Sequence, residues 1–337
     1  MTAAHSDRAV LDIIGKTIRE NYGIEGSLSR LPGENLNFLV KSPRGCKYVA
    51  KIVDDSLPEP VLEMQVAALK HAAERMISIQ FPHIVENYNK HYKTRIKKLN
   101  NFCNNMIIMN YIEVNCLQDL SDISENLKMS LGATVAAFGE AMRTFEHPAA
   151  HRSHRWDLTR ADRHREVLSL LPERQKRSLL GWAFDSWTNG AAPFLHQLPW
   201  QFIHGDMNPE NILVAQDEVV GLLDFGDGLF NPAVCDLAIC LAYQMMDQSE
   251  PLVAARRTIS GYESIRPLSD REHAVLLPLV LGRLAVTLSV ATRRRQIDPG
   301  HANWYVSEAP AWRLLNTMFQ RVRSEAKGLD GWCPVTP

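Results

Sequence analysis

The chain has 337 residues, enough for one large domain or for two lobes with cores of their own. Its 37 Lys and Arg residues nearly balance its 38 Asp and Glu residues, and the net charge of −1 argues against nucleic acid as the main partner. With 45% hydrophobic and 22% charged residues, the composition is that of an ordinary soluble globular protein.

Secretion and disulfide bonds are not expected. The N-terminal sequence MTAAHSDRAVLDIIGKTI has no cationic region followed by an apolar run. The six cysteines form no C-x-x-C pair, and a chain of this size needs no covalent crosslinks, so we expect reduced thiols in a cytoplasmic protein. The cysteines are Cys46, Cys103, Cys116, Cys235, Cys240 and Cys333.

The first third of the chain predicts a small β-rich lobe. Runs of β-type residues flank a turn that contains Pro43 and Gly45, which is typical of a hairpin. Strong helix formers follow, and then further strands around a basic turn. The predicted elements are a helix at 8–22, strands at Leu36–Lys41 and Lys47–Val53, a helix at 59–75 and strands within 83–99 and 104–113.

The rest of the chain predicts a larger and mostly helical lobe. The exception is residues 202–226, where two short apolar runs around Asp217 indicate a hairpin. The apolar segment 273–292 is long enough to cross a membrane, but Arg283 lies in its middle and Pro278 is expected to interrupt it. We therefore interpret it as a buried helix and expect no membrane association. The fold class is α+β, with lobes at 1–112 and 113–337.

One stretch carries the pattern of a phosphoryl-transfer site. HGDMNPEN spaces His204, Asp206 and Asn211 as H-x-D-x-x-x-x-N, and Asp224 ends an apolar run in LLDFGD. Phosphoryl transfer needs a carboxylate for the acceptor hydroxyl and metal ions for the phosphates, and Mg²⁺ prefers oxygen ligands. We predict Asp206 as the base, with Asn211 and Asp224 as Mg²⁺ ligands brought to one end of a small sheet. The alternative is that these residues only cap a turn and end a strand.

A lysine upstream fits the same reaction. Lys51 in YVAKIVD lies on a predicted strand and is similar to the lysine that contacts the α- and β-phosphates in kinases. The following helix offers Glu63 as a carboxylate to pair with Lys51, and Glu59 is the competing choice. We favour Glu63 because it lies inside the helix.

Two further segments are candidates for nucleotide contacts. The turn LPGENLNF, with Gly33 and the backbone amides around Asn35, is predicted to cover the phosphates, although it lacks the G-x-G-x-x-G of protein kinases. The strand MIIMNYIEV predicts that backbone groups of Asn110, Tyr111 and Ile112 pair with adenine. Backbone recognition leaves no side-chain signature, so the sequence does not decide which of these groups are used.

These motifs resemble a known family. HGDMNPENIL, LLDFGD, VCDLA and YVAKI are similar to the aminoglycoside phosphotransferase and choline kinase family, a branch of the protein-kinase-like fold. The segments at 145–158 and 283–315 are most similar to its hydroxylysine kinase branch. The resemblance covers roughly residues 25 to 320, and substrate is the property in which such branches diverge.

The resemblance implies a bilobal kinase with MgATP as the phosphoryl donor, GTP being the alternative, and a small hydroxylated amine or amino acid as acceptor. It also implies that the product passes to a pyridoxal-phosphate lyase or to an aminotransferase. No A-P-E follows the D-F-G, which argues against a protein substrate. By position, the family roles fall on Asp206 (catalytic), Asn211 and Asp224 (metal), Lys51 (phosphate), Glu63 (its partner) and His204 (structural).

The acceptor-binding residues are predicted from chemistry. An ammonium group needs a carboxylate or an aromatic face, and a carboxylate needs arginine. A charge in the middle of an apolar helix is costly unless it is paired, so Arg283 is expected to face either a structural carboxylate or a ligand. Asp157 is alternatively a helix cap. The candidates are Asp227, Asp157, Trp156 and Trp304 for the amine, and Arg152 and Arg283 for the carboxylate.

Hydroxylysine-like amino alcohols are the favoured acceptors. Homoserine, choline, ethanolamine and aminoglycosides are alternatives within the same reaction class. A pseudokinase, which would bind nucleotide without turnover, is the alternative from another class, although all the key polar residues are present.

Overall fold

The computed structural model describes residues 3–31, 36–54, 56–99, 102–300, 305 and 307–324. The chain divides into two compact units, one of residues 1–63 with 81–113 and the other of residues 64–80 with 114–337. Residues 64–80 therefore belong to the second unit, whereas the predicted division at 112/113 assigned them to the first. The lobe boundary at 112/113 therefore stays a prediction.

The first unit is built on an antiparallel sheet of six strands. Its path runs β1-β2-β3-β6-β4, and β5 also pairs with β6. The elements are α1 (Ala3–Tyr22), β1 (Ser27–Arg30), β2 (Leu36–Lys41), β3 (Lys47–Asp54), α2 (Glu59–Arg75, of which 59–63 lie in this unit), β4 (Ile84–Val85), β5 (Thr94–Leu99) and β6 (Phe102–Asn110). The predicted hairpin of β2 and β3 is confirmed.

The core of this unit follows the side-chain periods of its elements. Phe38 and Val40 on β2, and Ala50 and Ile52 on β3, alternate with less buried neighbours, as expected for strands with one buried face. Ile14 on α1 packs into the same cluster.

The second unit is mainly helical. Its elements are β7 (Asn115–Cys116), α3 (Glu125–Met142), α4 (Arg174–Gly190), β8 (Trp200–Ile203), β9 (Ile212–Ala215), β10 (Glu218–Leu222), β11 (Leu229–Pro232), α5 (Val234–Gln244), α6 (Pro251–Glu263), α7 (Asp270–Ile297) and α8 (Glu308–Ser324). Short 3-10 segments lie at Leu117–Asp119, Pro148–Ala150, Leu158–Leu170 and Ala192–Gln197.

Two small sheets lie among these helices. β9 pairs with β10 in the hairpin predicted around Asp217, and β7 adds to β9. β8 and β11 form a separate pair, in which Ile203 lies opposite Leu229. The sequence does not predict that pair, because each strand has only four residues and the two strands are not adjacent in the chain.

The long apolar helix α7 begins at a capping box, in which Ser269 and Glu272 satisfy each other's backbone N–H groups. The prediction that Pro278 interrupts this helix is wrong, because the helix continues through it to Ile297. Among the described helices, α7 alone is long and apolar enough to span a membrane, yet most of that stretch is buried within the protein. Tertiary packing on all sides stabilises α7 despite the hydrogen bond that Pro278 cannot make.

Candidate active site

The loop between β8 and β9 is held by a buried carboxylate. Asp236, in the first turn of α5, accepts hydrogen bonds from the backbone N–H groups of His204 and Gly205, both at 2.8 Å. Gly205 has a φ of +77°, and a Cβ there would lie 2.6 Å from the carbonyl oxygen of Asp227. Asp236 is therefore an internal support of this loop.

His204 connects this loop to the segment that follows β10. The ring is fully buried; its Nδ1 accepts from the Asp206 N–H at 3.3 Å, and its Nε2 lies 2.9 Å from the Leu223 carbonyl oxygen. A neutral imidazole that accepts at Nδ1 carries its proton on Nε2, so Nε2 donates to Leu223. The contacts of His204 are therefore structural.

The Asp206 carboxylate is fixed from both sides. Its Oδ2 accepts from the side-chain amides of Asn208 and Asn211, both at 2.9 Å. Its Oδ1 accepts from Nη2 of Arg283 at 3.0 Å. The side chain of Asp206 keeps 21% of its surface exposed, so an acceptor molecule can reach it.

The hairpin of β9 and β10 brings Asn211 next to Asp224, as predicted. Leu222 is paired with Ile212, and one step further the N–H of Leu223 donates to the carbonyl of Asn211 at 2.8 Å. Asp224 follows with a φ of +51°, an uncommon backbone conformation for a residue other than glycine, and its Oδ1 accepts from the Gly226 N–H at 2.9 Å. Strained backbone of this kind is concentrated at functional sites.

The donor set here fits a magnesium ion. The amide nitrogen of Asn211 donates to both the carbonyl and the carboxylate of Asp206, so the carbonyl oxygen of its side chain is the atom left to bind a cation. Asp224 supplies a carboxylate beside it. One amide oxygen and one carboxylate are hard ligands of the kind that Mg²⁺ takes from proteins while keeping phosphate and water ligands.

Arg283 forms an ion pair with Asp206, the residue that the sequence predicts as the base. It is 1% exposed, and its Nη2 donates to Asp206 and, at 3.1 Å, to the hydroxyl of Tyr243. Its guanidinium carbon lies 4.8 Å from the centre of the Trp156 ring. The sequence left open a structural carboxylate or a ligand, and the structure pairs Arg283 with the predicted base.

Asp227 and His154 form a contact beside these residues, with Nε2 of His154 3.4 Å from Oδ1 of Asp227. Burial, together with the charges of Asp206 and Asp224, raises the pKa of Asp227 to about 8. Burial and the surrounding arginines lower the pKa of His154 to about 3. At neutral pH the contact therefore joins a neutral imidazole to a carboxyl group that is mainly protonated.

Two predicted acceptor-binding residues make structural contacts. Nε and Nη2 of Arg152 donate to the carbonyls of Gly226 and Gly228 at 2.7 to 3.2 Å, and burial lowers the pKa of this guanidinium. Asp157 is 3% exposed and caps the segment Leu158–Leu170, as its alternative interpretation held. Its Oδ1 accepts from Thr159 and from the side chain of Asn231. Trp304 lies outside the described residues.

The predicted phosphate-contacting residues lie in the first unit. Lys51 is on β3, paired with Asn37 and Ile107. Glu59 accepts hydrogen bonds from Lys93 and from the Tyr92 hydroxyl, which disfavours it as the partner of Lys51. Glu63 stays the predicted partner. Gly33 and Asn35 lie outside the described residues.

The three candidates for adenine pairing differ in whether their backbone N–H already donates a hydrogen bond within the protein. The N–H of Asn110 donates to His83, and the N–H of Tyr111 donates to Lys47, each at 3.0 Å. Within the described chain, no backbone acceptor takes the N–H of Ile112. The N–H of Ile112 is therefore the one of these three backbone donors that can still donate to a nucleotide base.

Sequence reasoning missed Tyr243 and Asn208. Asn208 follows Asp206 by two residues, and its Oδ1 accepts from the N–H groups of Glu210 and Asn211, so the asparagine in H-G-D-M-N was a usable turn signal. Tyr243 had no such signal, because its contact with Arg283 depends on the packing of α5 against α7.

Comparison with known proteins supports the same chemistry. The model of the phosphotransferase enzyme family (APH) matches residues 27–268. A hydroxylysine kinase from Xenopus laevis is 26% identical over 347 residues, which cover 94% of this chain and 90% of that protein. A homoserine kinase from Gluconobacter oxydans (strain 621H) is 42% identical, but over only 95 residues, which are 27% of this chain and 30% of that protein.

Solved structures with the same fold include two kinases. A microcompartment-associated aminopropanol kinase matches with a TM-score of 0.71 at 17% identity, over 91% of this chain and 97% of its own. The amicoumacin kinase hAmiN, solved with AMP-PNP and Ca²⁺, matches with a TM-score of 0.70 at 14% identity, over 94% and 96%. At these identities the likeness shows the fold alone, and it confirms the predicted kinase-like α+β class. Since the family model matches most of its length, the chain belongs to the phosphotransferase enzyme family and is a small-molecule kinase.

Proposed function

We propose that this kinase transfers the γ-phosphoryl group of ATP to the hydroxyl of a small amino alcohol or hydroxy amino acid, with a hydroxylysine-like acceptor favoured. The observation that carries the proposal is the Asp206 carboxylate, which is fixed by three side-chain donors and partly exposed beside Asn211 and Asp224. Such a group can orient an acceptor hydroxyl and take its proton.

The nucleotide part of the proposal rests on the residues that match the kinase motifs of the sequence. Lys51 and Glu63 would hold the phosphates, and the N–H of Ile112 would pair with the base. Asn211 and Asp224 would hold Mg²⁺, which supplies charge neutralisation on the phosphates when bound. Related kinase structures hold AMP-PNP in one case, ADP in another and GDP in a third, so ATP is the proposed donor and GTP is the alternative.

The amine part rests on Asp227 and Trp156. Burial, together with the negative charges of two nearby aspartates, raises the pKa of Asp227, and an ammonium group bound there would favour its ionised form. The ring of Trp156 is the second candidate, and it supports this part less than Asp227 does, because the guanidinium carbons of Arg283 and Arg294 already lie 4.8 Å and 5.9 Å from its centre. By contrast, Arg152 and Arg283 already donate to protein oxygens, which gives less support to recognition of an acceptor carboxylate by these two residues.

The full-length likeness to a hydroxylysine kinase favours hydroxylysine over the other acceptors. Homoserine is the second candidate because of the locally higher identity to a homoserine kinase. The activity is proposed to be cytoplasmic. An O-phosphorylated amino alcohol is suited to elimination of phosphate, so a pyridoxal-phosphate lyase would be a natural consumer of the product.

The test is an ADP-release screen of the purified protein with MgATP and MgGTP. The acceptors are 5-hydroxylysine, homoserine, 1-amino-2-propanol, choline, ethanolamine and kanamycin, and Asp206→Asn is the control. Turnover on hydroxylysine that is lost in the variant would support the proposal. Turnover on choline or kanamycin alone would contradict the proposed acceptor. Nucleotide binding without turnover on any acceptor would contradict the proposed reaction.

A further inference from the structure

The buried guanidinium of Arg283 is incompletely satisfied by the protein. Nη2 bonds to Asp206 and Tyr243, but Nε and Nη1 are buried and have no hydrogen-bond partner in the described part of the chain. The faces of the group lie against aromatic rings, with 4.8 Å to the centre of Trp156 and 5.6 Å to that of Tyr243. The surroundings therefore hold the guanidinium in place without using all its donors.

Stability of the fold does not account for an arginine at this position. Taking a charge out of water is costly, and well-packed apolar residues often stabilise a fold as well as a buried ion pair does. The neighbours of Arg283 along α7 are apolar and buried, as Gly282 and Leu284 are, so a methionine would suit the same helix. What only the arginine supplies is a directed donor to Asp206.

The bonds to Asp206 also indicate which of its oxygens can react. An ionised carboxylate has about four lone-pair positions, two on each oxygen. Asn208 and Asn211 take both positions on Oδ2, and Arg283 takes one on Oδ1. With the described residues alone, one position on Oδ1 is left beside the bond from Arg283.

We propose that Arg283 is a positioning residue, which holds the Asp206 carboxylate so that the remaining lone pair of Oδ1 faces the acceptor hydroxyl. The inference rests on the proposed phosphoryl transfer. In that step the hydroxyl oxygen forms a bond to the γ-phosphorus and loses its proton to Oδ1. The bond from the γ-phosphorus to the β,γ-bridging oxygen breaks, and its electron pair leaves with ADP.

The test is a double-mutant cycle of Arg283→Met and Asp206→Asn, with kcat and KM measured for each variant. Because misplacement of a reacting group by about 1 Å can cost on the order of 100-fold in rate, we expect Arg283→Met to lower kcat by about that factor. The KM for ATP should change little, because Arg283 is assigned no nucleotide contact. In the Asp206→Asn background the same change should lower the residual rate by less than about twofold, since residues that act as a unit are not additive.

Two milder variants keep the test informative if Arg283→Met folds poorly. Arg283→Lys retains the charge near Oδ1 but has no planar fork, so its kcat should lie between those of wild type and Arg283→Met. Tyr243→Phe removes one bond to Nη2 and should lower kcat by about fivefold.

Arg266 provides a matched control. It also bonds to a tyrosine hydroxyl and a carboxylate, Tyr262 at 2.7 Å and Glu272 at 2.6 Å, but Glu272 belongs to the capping box of α7. Arg266→Met should lower the melting temperature and leave kcat per folded molecule unchanged.

Three results would overturn the positioning role: an unchanged kcat in Arg283→Met, an equal loss of rate in both backgrounds of the cycle, or a loss explained by the folded fraction as in Arg266→Met. If wild type phosphorylates none of the acceptors, the proposed function fails separately. The cycle is then run on basal ATP hydrolysis, in which water replaces the acceptor hydroxyl, and the same criteria apply.

Discussion

Two groups, each made of an arginine, a tyrosine and a carboxylate, include a residue of α7. They differ in how far the carboxylate side chain is exposed to solvent. The Glu272 group consists of Tyr262, Arg266 and Glu272, and the Asp206 group consists of Asp206, Tyr243 and Arg283. The Glu272 side chain is 2% exposed, whereas 21% of the Asp206 side chain is exposed.

The two carboxylates also differ in how far their hydrogen-bonding capacity is used by the protein. Oε2 of Glu272 accepts hydrogen bonds from the backbone N–H and the hydroxyl of Ser269, so this carboxylate caps the N-terminus of α7. Among the residues that the structure describes, no partner takes Nε and Nη1 of Arg283, and one lone-pair position on Oδ1 of Asp206 stays open. The same three kinds of group thus cap a helix in one place and hold the proposed base in the other, and the two carboxylates differ in their access to solvent.

The largest expected effect comes from Asp206→Asn. The amide cannot accept the hydroxyl proton, and general-base contributions are typically 10²–10⁴-fold, so kcat should fall by about a thousandfold. The unfolding free energy should fall by about 2 kcal/mol, because the amide nitrogen faces a donor and the buried Arg283 loses its charged partner, so kcat is expressed per folded molecule. A variant that retains more than a tenth of wild-type kcat would remove Asp206 from the role of base.

Asp236→Asn tests the support beneath the Asp206 group. Both carboxylate oxygens accept backbone N–H groups in a fully buried place, and an amide nitrogen would face one of these donors. We expect unfolding free energy to fall by about 3 kcal/mol and kcat to fall as well. Urea denaturation and ADP release measure the two effects, and a stable variant with full activity would contradict the support role.

Glu272→Gln makes the same chemical change in the Glu272 group. It weakens the charge-assisted bond from Arg266 but keeps a residue type that suits a capping box. The loss of unfolding free energy should be about 2 kcal/mol, with kcat per folded molecule unchanged. Should kcat fall as steeply as in Asp206→Asn, the contrast between the two groups would be wrong.

The smallest effect is a pH dependence that Asp227→Asn should remove. The pKa of Asp227 is raised from 3.8 to about 8, so between these values the folded protein retains a proton that the unfolded chain releases. This contribution therefore makes wild type less stable as pH rises through that window.

Relative to wild type, Asp227→Asn should become more stable by about 1 kcal/mol between pH 5 and pH 7.5, a figure discounted for partial exposure. Melting curves of both proteins in EDTA give the difference. If the melting temperatures of wild type and Asp227→Asn changed equally with pH, burial would not raise the pKa of the Asp227 carboxyl.

The sequence predicted the local parts of the site well. The spacing from Asp206 to Asn211, and the hairpin that brings Asn211 next to Asp224, follow from turn residues and two short apolar runs, and both are local in the chain. The partner of Arg283 was not predictable, because 77 residues separate it from Asp206. The β8–β11 pair was not predicted because each strand has only four residues and the hairpin of β9 and β10 lies between them in the chain.

By itself, the sequence determined the reaction class, the family and the residues that follow one another in the H-G-D and D-F-G segments. These depend on residue types at fixed spacing, which the backbone carries into the fold unchanged. Tertiary structure alone decided that Arg283 bonds to Asp206, that Arg152 and Asp157 support loops, and that Asp227 retains a proton at neutral pH. Burial and long-range contacts produce each of these, because they depend on which helices and loops pack together and not on the order of residues within any one of them.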